Sequence, residues 1–193
     1  AGGVQTPLPK PSVDTGAGLE RIASLLAGVE SNYQIDLFQH LIRAIQETIG
    51  SDYKDNVSSH HVVADHLRAL AFAIADGAGI SNEGQGYVLR RILRRAARHG
   101  RLLGAKDPFI HRLIPALIVE MGAAYPELRE KQPHIERVIH AEEEAFNRTL
   151  ESGLELFDGV YRKAQKAGTK IIDGDDIFRL YDTFGFPSAL TEI

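Results

Sequence analysis

The chain has 193 residues, 44% of them hydrophobic and 25% charged, ordinary usage for one globular domain or slightly more. That composition excludes a disordered tail, a collagen and a coiled-coil rod, and no apolar run approaches the ~18–20 residues that cross a bilayer as a helix. Twenty-two Lys and Arg against 26 Asp and Glu give a formal charge of −4, and there is no cysteine. Disulfides, cysteine-ligated zinc and thiol nucleophiles are thereby excluded, and a reducing compartment fits.

Residues 1–13 hold three prolines and two glycines. They read as an extended entry segment with neither the apolar core nor the basic leader of a signal peptide. Val13-Asp14-Thr15-Gly16 reads as a strand end turning into a helix, in which Leu19, Ile22, Ala23 and Leu26 recur at helical spacing until Gly28. A second helix is predicted over 35–49, buried through Leu37, Leu41, Ile42 and Ile45 and stopped by Gly50. A third, capped by Ser58 or Ser59, runs over about 60–75 with Val63, Leu67, Leu70, Ala71 and Ile74 inward. A glycine-rich loop, Ser81-Asn82-Glu83-Gly84-Gln85-Gly86, precedes a fourth over about 86–99. A fifth over about 107–122 turns Phe109, Ile110, Leu113, Leu117 and Ile118 inward. A long helix over about 133–166 carries Ile135, Val138, Ile139, Phe146, Leu150, Leu154, Phe157 and Tyr161 every three or four residues. A short helix over 177–182 ends in the turn Thr183-Phe184-Gly185-Phe186-Pro187. The body is all-α, with a short extended or strand segment at its N-terminus.

The fourth helix carries the most pronounced charge pattern. Residues 84–106 contain no acid but hold Arg90, Arg91, Arg94, Arg95, Arg98 and Arg101, with His99 beside them. At about 100° per residue these arginines and Tyr87 share one side of the helix, opposite Val88, Leu89, Ile92, Leu93 and Ala96. Guanidinium suits phosphate because its planar fork donates two hydrogen bonds and never loses its charge. Such a stripe is either an unneutralised polyanion-binding face or a solvated face paired with acids elsewhere, for which Glu142-Glu143-Glu144 would serve. It lacks the Asn, Gln, Ser and Thr that a DNA-reading recognition helix mixes with its basic residues.

Two smaller clusters carry less. Asp14-Thr15-Gly16-Ala17-Gly18-Leu19-Glu20-Arg21 sets two glycines at a helix entry, where a flat or phosphorylated ligand can approach the backbone and Arg21 can grip a phosphate. On pattern alone it reads as a plain turn with a surface arginine. His60-His61 and His66 beside Asp65 resemble metal ligands, but only part of the set shares one helix side. Capping and core roles explain them better, and no metal site is expected. Asp182, at the end of an aromatic helix, either caps the turn or accepts hydrogen bonds from a ligand.

Several stretches together resemble the alanyl-tRNA synthetases, a family of class II aminoacyl-tRNA ligases. PLPKPSVDTGAGLERIA is similar to their third class II motif, and SNYQIDLF, VVADHLRALAFAIADG, SNEGQGYVLRRILRRAARHG and FRLYDTFGFP follow as successive landmarks. The resemblance implies a catalytic-domain end over 1–28 and a helical tRNA-recognition domain over 29–193. It implies a central fragment of a cytoplasmic enzyme, with the first two motifs before residue 1 and editing and dimerising regions beyond residue 193. The parent would use alanine, ATP and Mg²⁺ to charge tRNA(Ala), without DNA or membrane as partner. The fragment alone would be inactive, with no cofactor bound.

The same resemblance implies residue roles. Arg21 would contact the ATP γ-phosphate, Gly16 and Gly18 would line the adenylate pocket, and Asp14 would hold the alanine amine. Asn82 and Asp182 would read the guanine–uracil pair of the acceptor stem, with Arg90, Arg91, Arg94, Arg95 and Arg98 along its backbone. Gly84-Gln85 stand where the family often has a second asparagine and a basic residue, and His60-His61 replaces a more usual apolar–basic pair. A rival of another class is a non-catalytic module docking an acidic protein through the arginine face.

Overall fold

The structure is a computed structural model that describes residues 10, 12, 15–166, 168, 169 and 171–184, the side chains of 181–184 excepted. Eight α-helices are seen among these residues: α1 Leu19–Ala27, α2 Asp36–Ile49, α3 Val57–Ala75, α4 Gly84–Leu102, α5 Ile114–Met121, α6 Pro126–Glu130, α7 Gln132–Lys166 and α8 Gly174–Phe184. Single 3₁₀ turns, Asn32–Gln34 and Ile110–Leu113, precede α2 and α5. The chain divides into two compact units, 1–39 and 40–193. No helix among the described residues is long and apolar enough to cross a membrane.

The strand expected at the N-terminus is not found among the described residues. Residues 15–18 carry no regular structure, and no strand occurs among the described residues. A strand exists only by pairing its N–H and C=O groups with a neighbour, and proline cannot donate to such a ladder. Among the described residues there is no strand for such a segment to join. Val13 and Asp14, the expected strand end, lie outside the described residues.

In the first unit α1 stops where Gly28 turns left-handed (φ 66°), its N–H returning to the Leu25 carbonyl and that of Val29 to Ser24. Ser31 and Gln34 cap the following 3₁₀ turn reciprocally, and the rings of Tyr33 and Phe38 lie 4.9 Å apart.

The second unit is built on α3, α4 and α7. Helix α3 begins at Asn56, whose side chain accepts from the Ser59 amide, and buries Val63, Leu67, Leu70, Ala71 and Ile74. It packs on α4 across a short connection, and α7 packs against α4, against the 3₁₀ turn Ile110–Leu113 and against α8. Phe146, Leu93, Ile110, Leu113 and Ile114 fill the middle. The expected fifth helix is split into the 3₁₀ turn and α5, because Pro115 has no N–H to continue the first turn and seats itself at the start of the second.

Candidate nucleic-acid interface

The loop before α4 is shaped by the helix start. Glu83 is extended, Gly84 has a positive φ of 56°, and the Ser81 hydroxyl donates to the Glu83 carbonyl at 2.8 Å. The helix therefore takes in Gly84, Gln85 and Gly86, two residues earlier than expected. Gly86 is buried because the loop lies directly on it. A Cβ there would stand 2.6 Å from the Gly79 carbonyl oxygen and 2.8 Å from the Ser81 amide nitrogen. Alanine is the better helix former by about 1 kcal/mol, yet these neighbours are backbone and cannot swing aside. Gly86→Ala is accordingly expected to cost about 1–3 kcal/mol. Denaturant unfolding checks the sign, and a more stable variant would mean the loop moves off freely.

Helix α4 buries Gly86, Leu89, Leu93, Ala96, Ala97 and Gly100. Val88, assigned to the apolar side, is 54% exposed. With the buried stripe centred there, the arginines divide. Arg90, Arg94 and Arg101 border the core and meet α7. Arg90 Nη2 donates to Glu142 Oε2 at 3.0 Å and Arg94 Nε to Glu142 Oε1 at 3.2 Å, while Arg101 lies 3.6 Å from Glu151. The Arg94 guanidinium also sits 5.3 Å from the centre of the Phe146 ring. Arg91 and Arg95 are exposed and have no ion-pair partner among the described residues. Arg98 is half-buried, its Nε without a hydrogen-bond partner. The face is thus not uniformly unneutralised: carboxylates take three of its arginines, and the outward charge is concentrated on Arg91 and Arg95.

Asn82 stands exposed in the loop, and its Oδ1 accepts from Arg90 Nη1. Arg90 therefore links the loop to α7. Tyr87 is exposed on the same helix. His99 receives or donates a hydrogen bond at Nδ1 to the Ser59 hydroxyl, 2.9 Å away on α3. Burial, then Arg95 and Arg98, hold its pKa below the ordinary histidine value, so it adds no charge to the stripe at neutral pH.

The three consecutive glutamates of α7 do different work. Glu142 pairs with arginine as described. Glu144 lies 3.5 Å from Arg148 on the surface, a pair of little energetic consequence. Glu143 is buried and accepts from the backbone N–H groups of Phe109 and Ile110 at 3.1 and 3.0 Å. Burial pushes its pKa up to about 7 against the lowering effect of those two bonds and of Arg101. Sequence inspection missed this residue, although Ile139, Glu143, Phe146 and Leu150 share one helical stripe.

The histidines of α3 are individually engaged. His60 is fully buried, its Nε2 3.0 Å from the Ser51 hydroxyl and its Nδ1 2.9 Å from the Asn56 carbonyl oxygen. His61 meets the Tyr53 hydroxyl at 2.6 Å, and His66 meets Asp65 at 3.1 Å. Among the described residues no three His, Asp or Glu side chains converge as metal ligands.

In the first unit Gly16, Gly18 and Arg21 are exposed. Gly18 is the N-cap of α1 with an extended backbone, and the Arg21 side chain folds back over it, Cγ and Cδ 3.5 Å from where a Cβ would stand. Asp14 lies outside the described residues, as does the side chain of Asp182, whose backbone belongs to α8. The expected convergence of Asp182 on Asn82 lies outside them too.

Residues 1–193 of the chain match the family described as tRNA synthetases class II (A). The chain belongs to that class II synthetase family. Among curated proteins it is 56% identical over 191 residues to the alanine–tRNA ligase of Pseudomonas entomophila (strain L48), covering 99% of this chain and 21% of that protein. It is 53% identical over 189 residues to the alanine–tRNA ligases of Chromohalobacter salexigens and of Neisseria meningitidis serogroup C (strain 053442), covering 98% of this chain and 21% of each. The chain spans about a fifth, 21%, of the length of these relatives.

Proposed function

We propose that this chain is the part of an alanine–tRNA ligase that holds the acceptor stem of tRNA(Ala) and closes one side of the adenylate pocket. The observation that supports it most is the pairing of an exposed Arg91–Arg95 edge with an oriented Asn82 at the start of the same helix, in a chain of this family. The arginines supply salt-dependent, sequence-blind attraction to phosphate. Asn82, together with Asp182, supplies the polar readout of the guanine–uracil pair, whose edge is accessible in the shallow minor groove of A-form RNA. Arg98 adds to the cationic surroundings of the stem, whereas Arg90 and Arg94, expected along its backbone, are held by Glu142. Residues 1–28 belong to the catalytic domain and 29–193 to the recognition domain.

In the parent enzyme the alanine carboxylate attacks the α-phosphorus of ATP, pyrophosphate leaves, and a terminal hydroxyl of the tRNA then takes the alanyl group with release of AMP. Within this scheme Arg21 meets the γ-phosphate, the bare backbone at Gly16 and Gly18 lets the adenylate approach, and Asp14 holds the amine. The contribution is positioning and charge stabilisation of an in-line displacement. Among the described residues no three His, Asp or Glu side chains form a metal-ligand group, and no residue of this chain is assigned to Mg²⁺.

The test is binding of acceptor-stem RNA carrying a G–U pair against the same stem with G–C. Asn82→Ala is expected to reduce the preference by about 1–3 kcal/mol, leaving affinity for unrelated RNA unchanged. Equal binding of both stems by the unsubstituted chain would reject the proposal. It would favour a module that docks an acidic protein.

A further inference from the structure

We infer that Glu142 is a positioning residue, acting through Arg90 to hold the Asn82 amide with its oxygen engaged and its NH₂ group turned to the ligand. The inference rests on the proposal that Asn82 meets RNA. Its basis is a chain of contacts across two helices and a loop. Arg90 Nη2 donates to Glu142 Oε2 at 3.0 Å and its Nε lies 3.0 Å from Oε1 as an ion pair without a hydrogen bond of its own, the Arg90 and Glu142 side chains being only 19% and 11% exposed. The third nitrogen, Nη1, donates to Asn82 Oδ1. Arg94 Nε reaches the same carboxylate, so the carboxylate is fixed from a second side.

The chemistry decides the polarity of Asn82. A guanidinium has five donors and no acceptor, so the amide atom that faces Arg90 is the oxygen. The NH₂ group keeps both its donors for a ligand, while Oδ1 keeps only one of its two lone pairs. Asn82 is therefore set chiefly to donate to an acceptor on a base edge, a carbonyl oxygen or ring nitrogen. Arg90 in turn is neutralised and engaged, and is not one of the phosphate contacts. An exposed asparagine in a loop would otherwise sample several rotamers. The clamp removes that freedom before the RNA arrives.

The experiment uses the full chain with Glu142→Gln, Arg90→Lys, Asn82→Ala and the double variant Glu142→Gln/Asn82→Ala. Two readouts are taken: fluorescence-anisotropy binding of G–U and G–C stems over a salt series, and ¹⁵N relaxation of the Asn82 side-chain amide without RNA. Glu142→Gln and Arg90→Lys are each expected to lower the G–U preference about fivefold, to leave the salt slope on unrelated RNA unchanged, and to loosen the Asn82 amide. In the Asn82→Ala background Glu142→Gln should cost no further preference, a non-additivity that a general loss of stability would not give. An Asn82 amide equally rigid in wild type and Glu142→Gln, or additive losses, would overturn the positioning role. If Asn82→Ala kept the full G–U preference while the amide loosened as expected, the clamp would stand but the RNA role of Asn82, and the inference with it, would fall. Should Glu142→Gln unfold, Arg90→Lys carries the same readouts.

Discussion

Glu143→Leu is expected to destabilise the second unit by about 2–5 kcal/mol, the largest effect of any single side chain in the α7 acidic run. The leucine fits an apolar stripe, but it leaves two buried N–H groups, those of Phe109 and Ile110, without the acceptor that now serves both. An orphaned buried donor costs about 1–3 kcal/mol. Those two amides start the turn that leads into α5, so the loss would spread to Leu113 and Ile114. Glu143→Gln keeps one carbonyl acceptor and should cost less.

The same residue gives a pH signature with a definite sign. Its carboxyl is pushed up to about 7 in the folded chain from an ordinary 4.5. Between these values the unfolded chain has released the proton and the folded chain still holds it. Its contribution is therefore most favourable below about pH 4.5, declines as pH rises towards 7, and is flat beyond. At 1.36 kcal/mol per pKa unit the decline amounts to as much as about 3 kcal/mol. His61, His99 and His111, whose pKa values burial lowers, act in the opposite direction. Their contribution is present above the ordinary histidine range and is lost as pH falls through it. Subtracting the stability of Glu143→Gln from that of wild type at each pH cancels them. Urea unfolding from pH 4.5 to 8 should show the difference shrinking with rising pH. A flat difference would mean that the carboxyl ionises in place without penalty.

Arg91→Ala/Arg95→Ala is expected to be the most damaging change for RNA binding. Each exposed guanidinium that meets a phosphate contributes about 0.7–0.9 to the slope of log affinity against log salt. The double variant should lose roughly 1.5 of that slope, with affinity for every RNA falling in parallel and the G–U preference preserved. Arg101, already facing Glu151, should change the slope far less. Equal losses from Arg101→Ala and from Arg91→Ala would show that the carboxylates of α7 do not withhold charge from the stem.

The helices were legible because their apolar residues keep a regular phase. Leu41, Ile42 and Ile45 in α2 and Ile135, Ile139, Phe146, Leu150 and Phe157 in α7 are buried as their spacing predicts. Phe38, not counted among the apolar face of α2, is buried too, while Leu37 is only partly covered. The inner face of α4 was harder because four of its six buried residues are Gly86, Ala96, Ala97 and Gly100. Small residues bring backbones together yet add little hydrophobicity, so of the four only Ala96 joins the apolar side in the sequence pattern, and the exposed Val88 is counted there instead of the rest. Which arginines would be neutralised was not legible at all. Glu142 is 52 residues from Arg90 and 48 from Arg94 along the chain, and only tertiary packing chooses between it and its neighbour Glu143. The N-terminal strand failed for a related reason: a strand is a property of a pair, and one segment does not disclose whether a partner exists.

Helix α7 runs without a break for 35 residues, about 50 Å at 1.5 Å per residue, carrying Glu142 towards one end and leading into α8 at the other. Such a rod works as an angular ruler. One residue inserted after Glu151 would swing everything downstream through about 100° around the axis and slide it about 1.5 Å, whereas seven would nearly restore the azimuth at the expense of about 10 Å of travel. The bearing of α8 about this shaft is thus set by an integer number of residues, and evolution can retune it only in whole steps.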